Sequence, residues 1–192
     1  MSTYLWMDAK NETAPAMLAM RLKQLMKDCR SHFRLSAHAP RPVVLLCIGT
    51  PAIPGDRLGP EVGSLLTQYQ PANLQHIFGT LDAPVHALNL RATLTTIKKQ
   101  FHHPVILVVD AALGNEFQDG FLAIKKGALR PGSGLGKRLP SIGDIQITGV
   151  FCNLYGNEAT NKMHMYSQCI ANGILELFSE ESSSINCRFI VE

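Results

Sequence analysis

Much that would classify a protein at a glance is missing from this chain of 192 residues. Its longest apolar run is only as long as a strand, far short of the ~20 residues a membrane-spanning helix needs. The opening, MSTYLWMDAKNETAP, has neither a basic leader nor an extended apolar stretch, so no signal peptide is expected. Internal repeats are absent. Charge is scarce: 17% of residues are Asp, Glu, Lys or Arg, and the formal net charge is +3. Basic residues are scattered apart from pairs such as Lys98-Lys99, Lys125-Lys126 and Lys137-Arg138. That pattern describes a solvated surface, so neither nucleic acid nor membrane is an expected partner. A soluble, cytoplasmic protein is expected.

Several chemistries lack their signatures. The cysteines, Cys29, Cys47, Cys152, Cys169 and Cys187, are odd in number and form no CxxC pair. Neither a zinc knuckle nor a disulfide framework is indicated, and reduced, mostly buried thiols are expected. No G-x-S-x-G elbow occurs, which removes support for a serine hydrolase. The segment PGSGLGKRLPSIGD, 131–144, resembles a phosphate loop only superficially. Three residues rather than four separate Gly132 from Gly136, Arg138 follows Lys137 where Ser or Thr is required, and Pro140 interrupts any helix. It reads as a loop bordering a site, with Lys137 either an anion or carbonyl contact or a plain solvated lysine.

What is present suits one packed domain, residues 1–192, with its core over about 13–178. Hydrophobic residues make up 46% of the chain, enough to bury a substantial core. Residues 1–12 read as a loose lead-in, and SEESSSINCRFIVE as a Ser-rich, frayed tail. TAPAMLAMRLKQLMKDCR predicts an amphipathic helix capped by Thr13, with Leu18, Leu22, Leu25 and Cys29 on one face. PVVLLCIG, 42–49, is a continuous β-rich run suited to a strand covered on both faces. A helix is predicted from about Gly59, a short strand at 74–80, and a helix capped by Asn89 through ALNLRATLTTIKKQF. HPVILVVDAALG, 103–114, is the second strong strand. Shorter strands follow near GFLAIKKG and DIQITGVFC, a pair that could introduce an antiparallel strand. A long helix is predicted from about Ala159 to Phe178, with Asn157 as its cap. Strands alternating with helices predict an α/β fold, a mainly parallel sheet with helices on both faces. Sites in such sheets lie outside the carboxyl ends of the strands.

Both strong strands deliver an aspartate there. Asp110 ends VILVVD, and Asp56 lies in the Gly/Pro loop after VVLLCIG. If both strands are central and parallel, the two carboxyls share one edge. Such a pair can split its proton affinities and activate water on a peptide carbonyl. It can instead hold a divalent metal, or act as acid and base on a glycoside. Alternatively, each aspartate simply caps a turn. His86, in TLDAPVHALNL, could be a ligand or base, or a histidine packed at a helix start. His102 and His103 precede a strand, at the wrong edge for the site.

Taken in order, VVLLCIGT…GDRLGPEVG, IFGTLDAPVHALNL, ILVVDAALG and GALRPGSGLGKRLPSIGDIQITGVF resemble the YyaC family of sporulation-associated, spore-protease-like proteins. The resemblance covers roughly residues 42–178. That family is in turn similar to the germination protease that degrades small acid-soluble spore proteins, and to the hydrogenase maturation endopeptidases. The resemblance implies a phosphorylase/hydrolase-like three-layer α/β sandwich and a protein substrate, with small acid-soluble spore proteins as candidates and the forespore as a compartment. It gives the role of a catalytic pair to Asp56 in GDRLGP and Asp110 in VVDAALG, with His86 and Lys137 auxiliary at most. No cofactor is implied beyond a divalent metal on those two carboxylates, in the manner of the maturation enzymes, and no His here matches the third ligand of that version. The chain departs from the family pattern twice. IGTPAIPGD stands where IGTDRSTGD is usual, and DAALG, with Ala112, where the family has D-A-C-L-G. A non-catalytic sporulation protein that keeps the fold is the alternative these departures raise.

Overall fold

The computed structural model describes residues 4–31, 41–53, 55–71, 73–74, 76–132, 139–153 and 155–185. In chain order the elements are β1 (Leu5–Asp8), α1 (Ala14–Ser31), β2 (Val43–Cys47), α2 (Leu58–Tyr69), β3 (His76–Phe78), α3 (Leu90–Gln100), β4 (Val105–Leu113), β5 (Phe121–Lys126), β6 (Ile145–Phe151) and α4 (Gly156–Ile185). The six strands form one sheet in the order β1-β5-β6-β4-β2-β3. β3, β2, β4 and β6 run parallel to one another, while β5 is antiparallel to both β6 and β1.

The continuous apolar run of β2 is explained by where it sits. All five of its residues are buried. Alternation sends Leu45 and Cys47 into one core and Val44 and Leu46 into another. The first core is closed by α1, α2 and α4, through side chains such as Leu22, Leu66 and Ile174. The second lies under α3, whose Leu90 and Ile97 pack against Val44, Leu46 and Val108. The architecture is therefore α/β, with a mostly parallel sheet between two helical layers. Among the described residues no helix is long and apolar enough to cross a membrane.

Four local expectations change. The lead-in contains β1, an edge strand whose Met7 is buried in the first core while Trp6 and Asp8 are exposed. Four residues carry too short an alternation to be seen without their partner β5. Thr13 turns its hydroxyl back to Asn11 Oδ1 at 2.8 Å. Asn89 does occupy the cap position of α3, yet its side chain braces the preceding turn, accepting from His86 N–H at 2.8 Å and donating to the Pro84 carbonyl at 2.9 Å. α4 starts before Ala159, taking Asn157 into its first turn, and runs on to Ile185. The remainder of the tail lies outside the described residues. Cys29, Cys47, Cys152 and Cys169 are free thiols, the first two and Cys169 buried.

The opposite edge of the sheet is tied by one arginine. Arg41 donates to the carbonyls of Cys29 (3.1 Å), His103 (2.6 Å) and Pro104 (2.8 Å), joining the end of α1 to the start of β4. His102 and His103 lie there, at the amino end of β4, as their place in the sequence suggests.

α2 sits unusually low on the sheet. A Cβ at Gly59 would lie 2.2 Å from the Ile48 carbonyl oxygen, and one at Gly63 would lie 2.0 Å from that of Gly79. Backbone cannot yield as a flexible side chain would, so this contact sets how closely the loop after β2 is drawn over the sheet. Gly63→Ala is expected to destabilise the fold by about 2 kcal/mol or more, as overpacking does, read as a lower urea midpoint at unchanged slope. The exposed change Ala83→Ser should stay within about 0.5 kcal/mol.

Candidate functional site

The chain reverses its direction of travel across the sheet at β2. From β2 it passes through α2 to β3 on one side, then through α3 to β4 on the other. The segments leaving β2 and β4 therefore diverge, and a crevice opens between the carboxyl ends of those strands. Both aspartates are at this point. The β2–β4 ladder ends with Cys47 opposite Val109, and Ile48 N–H reaches the Val109 carbonyl at 2.8 Å. Asp110 is the next residue of β4.

Asp56 is brought back to this edge by a loop that closes on itself. Thr50 N–H donates to the Asp56 carbonyl at 2.7 Å, and Asp56 N–H to the Ile53 carbonyl at 3.1 Å. Gly49, at φ +140°, makes the closure possible: a Cβ there would stand 2.0 Å from the Asp56 carbonyl oxygen. α2 begins two residues after Asp56, so the positive end of its dipole faces the same edge. Asp56 is half-buried.

Asp110 is buried, and its Oδ1 accepts from the neighbouring Ala111 N–H at 2.9 Å. Burial, and secondarily the charge of Asp56, push its carboxyl up to about 8, against the opposing pull of the Ala111 N–H. The two carboxyls thus feel each other across the crevice. Near neutral pH Asp110 holds a proton beside a second carboxylate, a combination able to give and take protons in one place.

The other expected residues fare differently. His86 is half-buried at the same edge, because Val85 bridges Ile48 and accepts from Gly49 N–H at 2.8 Å. Its Nδ1 is engaged by Leu88 N–H at 3.3 Å, which leaves Nε2 as the nitrogen open to a ligand. Lys137 lies outside the described residues. Before and after it in the chain, Leu129 bridges Ile142, and Leu129, Leu139 and Ile142 join the second core on the α3 face. Among the described residues no group of three or more His, Cys, Asp or Glu side chains is placed to hold a metal ion.

Two features escaped the sequence reading. Glu61, buried in the first turn of α2, pairs with Arg57 at 3.5 Å and with Nδ1 of His164 on α4. A carboxylate on the buried side of an apolar helix was the available signal, but its partner lies 103 residues away. Thr148 of β6 stands directly opposite Asp110 in the ladder. Nothing in ITGVF announces that neighbour, since the pairing exists only in the sheet.

The raised Asp110 has a thermodynamic consequence. Between the usual carboxylate range and about 8 the folded state binds a proton that the unfolded chain has released, so stability falls as pH rises through that interval. Asp110→Asn carries no such charge. The variant is expected to gain stability relative to the wild type as pH goes from 5 to 8.5, by a few kcal/mol at about 1.4 kcal/mol per unit of displacement. Urea titrations at both pH values measure it, and parallel curves for the two proteins would contradict it.

Comparison with known proteins shows the family. Residues 16–177 match the family described as "Protein of unknown function (DUF1256)". The chain is also similar to "Uncharacterized protein YyaC" of Bacillus subtilis (strain 168), 40% identical over 132 residues. That match takes in 69% of this chain and 63% of the relative, so it spans less than two thirds of the relative's length. The matched region holds β2, β4 and both aspartates within the family's bounds, and the chain belongs to the DUF1256 family, with YyaC as a relative.

Proposed function

We propose that this protein is an endopeptidase-like hydrolase, built on a phosphorylase/hydrolase-like sandwich, that cleaves a protein substrate with Asp56 and Asp110. One observation carries the reading: Asp110, at the crevice where the chain reverses, is kept protonated near neutral pH by burial and by Asp56 facing it. A pair so divided supplies an acid and a base at once.

In this scheme the Asp56 carboxylate removes a proton from water as its oxygen bonds to the amide carbon. Asp110 delivers its proton to the carbonyl oxygen, giving a neutral tetrahedral diol. Collapse breaks the C–N bond. The amine leaves with the proton held by Asp56, and a diol hydroxyl returns a proton to Asp110. One water is consumed and both carboxyls end as they began. His86 stands at the rim, and the first turn of α2 offers its dipole to the charge that develops.

The departures in the loop favour a second reading. Pro51 stiffens the segment before Asp56, and Ala112 takes the place of the family's cysteine. Ile53, Leu88 and Phe117, all exposed, flank the same edge and would suit a sporulation protein that binds its partner without cutting it.

The test uses the full chain with small acid-soluble spore proteins and a peptide library as substrates. Asp56→Asn and Asp110→Asn should each lower turnover by about 100-fold or more. The wild-type rate should decline above about pH 8, where Asp110 loses its proton. If the wild type releases no more product than the double variant, the catalytic reading fails. A stable, uncleaved partner recovered with the wild type would then favour the binding reading.

A further inference from the structure

We propose that the carboxyl edge of the sheet is the docking surface for a polypeptide segment that carries Lys or Arg beside apolar side chains. The proposal names the class of chain that the paired-aspartate crevice receives, and so rests on the reading that a polypeptide enters there.

Charge carries the argument. β2, β3, β4 and β6 are parallel, so the segments that follow them, 48–57, 79–89, 114–120 and 152–158, all emerge at the edge that holds Asp56 and Asp110. Those segments hold five carboxylates, Asp56, Asp82, Glu116, Asp119 and Glu158, against one cation, Arg57. The chain as a whole has a net charge of +3, so acids gather here against its overall sign. Bases collect at the opposite edge: Lys98 and Lys99 in the last turn of α3, and Lys125 and Lys126 at the end of β5, which runs antiparallel to β6. At the acidic edge Arg57 is taken by Glu61 at 3.5 Å, and Lys162 of α4 is shared by Asp119 at 2.9 Å and Glu158 at 3.0 Å. Asp82 and Glu116 are exposed and have no ion-pair partner among the described residues. Neither stands in the first turn of an α-helix, so neither is there to complement a helix dipole. Within the crevice Asp110 is only 9% exposed, and its Oδ2 takes no hydrogen bond from any described residue. A ligand that brings donors and positive charge meets these groups, whereas an acidic one is repelled.

Apolar surface lies among the same acids. Phe117, 92% exposed, directly follows Glu116, and Tyr155 precedes Glu158 on the segment after β6. Leu88, 91% exposed, and Ile53 stand on the loops after β3 and β2. Any one of these would be ordinary alone. Exposed rings alternating with carboxylates along one edge is the feature that selects a partner. Lys and Arg have an apolar stem and a cationic head. The stem covers the ring while the head reaches the neighbouring carboxylate, and a cation held over a Phe or Tyr face is itself favourable. Apolar side chains next to such a residue find Leu88 and Ile53 at the same edge.

The test is fluorescence anisotropy of short labelled peptides with the full-length chain. The probes are a peptide of Lys, Leu and Gly, its counterpart with Glu for Lys, and a third with Ser for Leu. The first should bind, and each counterpart should bind at least about tenfold more weakly. Binding of the first should weaken with added salt. Asp82→Asn with Glu116→Gln should reduce that salt dependence, and Leu88→Ser with Phe117→Ser should weaken binding about tenfold at low and high salt alike. All four side chains are exposed, so the urea midpoint should stay as in the wild type. Equal binding of the Lys and Glu peptides, no binding of any peptide, or variants that bind as the wild type does overturns the proposal. A second copy, its basic edge meeting this one, is the rival occupant. A wild type that self-associates, that Leu88→Ser with Phe117→Ser returns to monomer, and that binds no peptide overturns the proposal in favour of that copy. Binding is read without turnover: a Lys peptide held but never cut defeats the peptidase reading alone, and cleavage with no preference between Lys and Glu peptides defeats this proposal alone.

Discussion

The parallel ladder between β2 and β4, from Val43 opposite Val105 to Cys47 opposite Val109, is the contact on which the rest of the molecule depends. It joins two strands separated by two helices and a third strand, and it can form only because one helix passes on each face of the sheet. Once it forms, the segments leaving the two strands must part, and the crevice between them follows from chain direction alone. The first residue of β4 past this ladder, Asp110, is still paired with β6 and lies in a region poor in water. The proton affinity of Asp110 is thus a consequence of strand pairing as much as of its chemistry.

Keeping such a residue works against stability. Desolvating a carboxyl without a counter-charge is unfavourable, and here the nearest identified charge has the same sign. The surrounding structure compensates by packing. β2 lends side chains to both cores, and α2 is drawn down to the backbone of the sheet through Gly59 and Gly63. That descent also fixes the loop carrying Asp56, because α2 begins two residues later. The tight packing and the site are therefore one arrangement.

The edges of the sheet are handled differently from its centre. Arg41 gathers carbonyls from α1 and the start of β4 at the amino end, away from the crevice, where its role is architectural. Glu61 and His164 link α2 to α4 on the face away from α3. At the carboxyl end, by contrast, large apolar side chains such as Leu88 and Phe117 stand in solvent. Scattered exposed apolar residues are ordinary; their occurrence on loops at the edge that holds the aspartates is what gives them interest.

The sequence by itself determined the layered α/β architecture and the two central strands, because VVLLC and VILVVD are apolar without alternation and only a strand covered on both faces satisfies that pattern. It also put Asp56 in the loop after the first of these strands and Asp110 late in the second, although β4 runs on past Asp110 to Leu113 beside β6. It could not determine β1, whose four residues acquire meaning only beside β5, nor the side-chain role of Asn89, which depends on a turn closing back over it. Tertiary structure alone decided that Asp56 comes within electrostatic reach of Asp110, that Glu61 finds His164, and that Thr148 stands opposite Asp110. The reason is the same in each case: these are neighbours across strands and helices, and strand order and register are settled by the packing of the whole sheet, which no local pattern encodes.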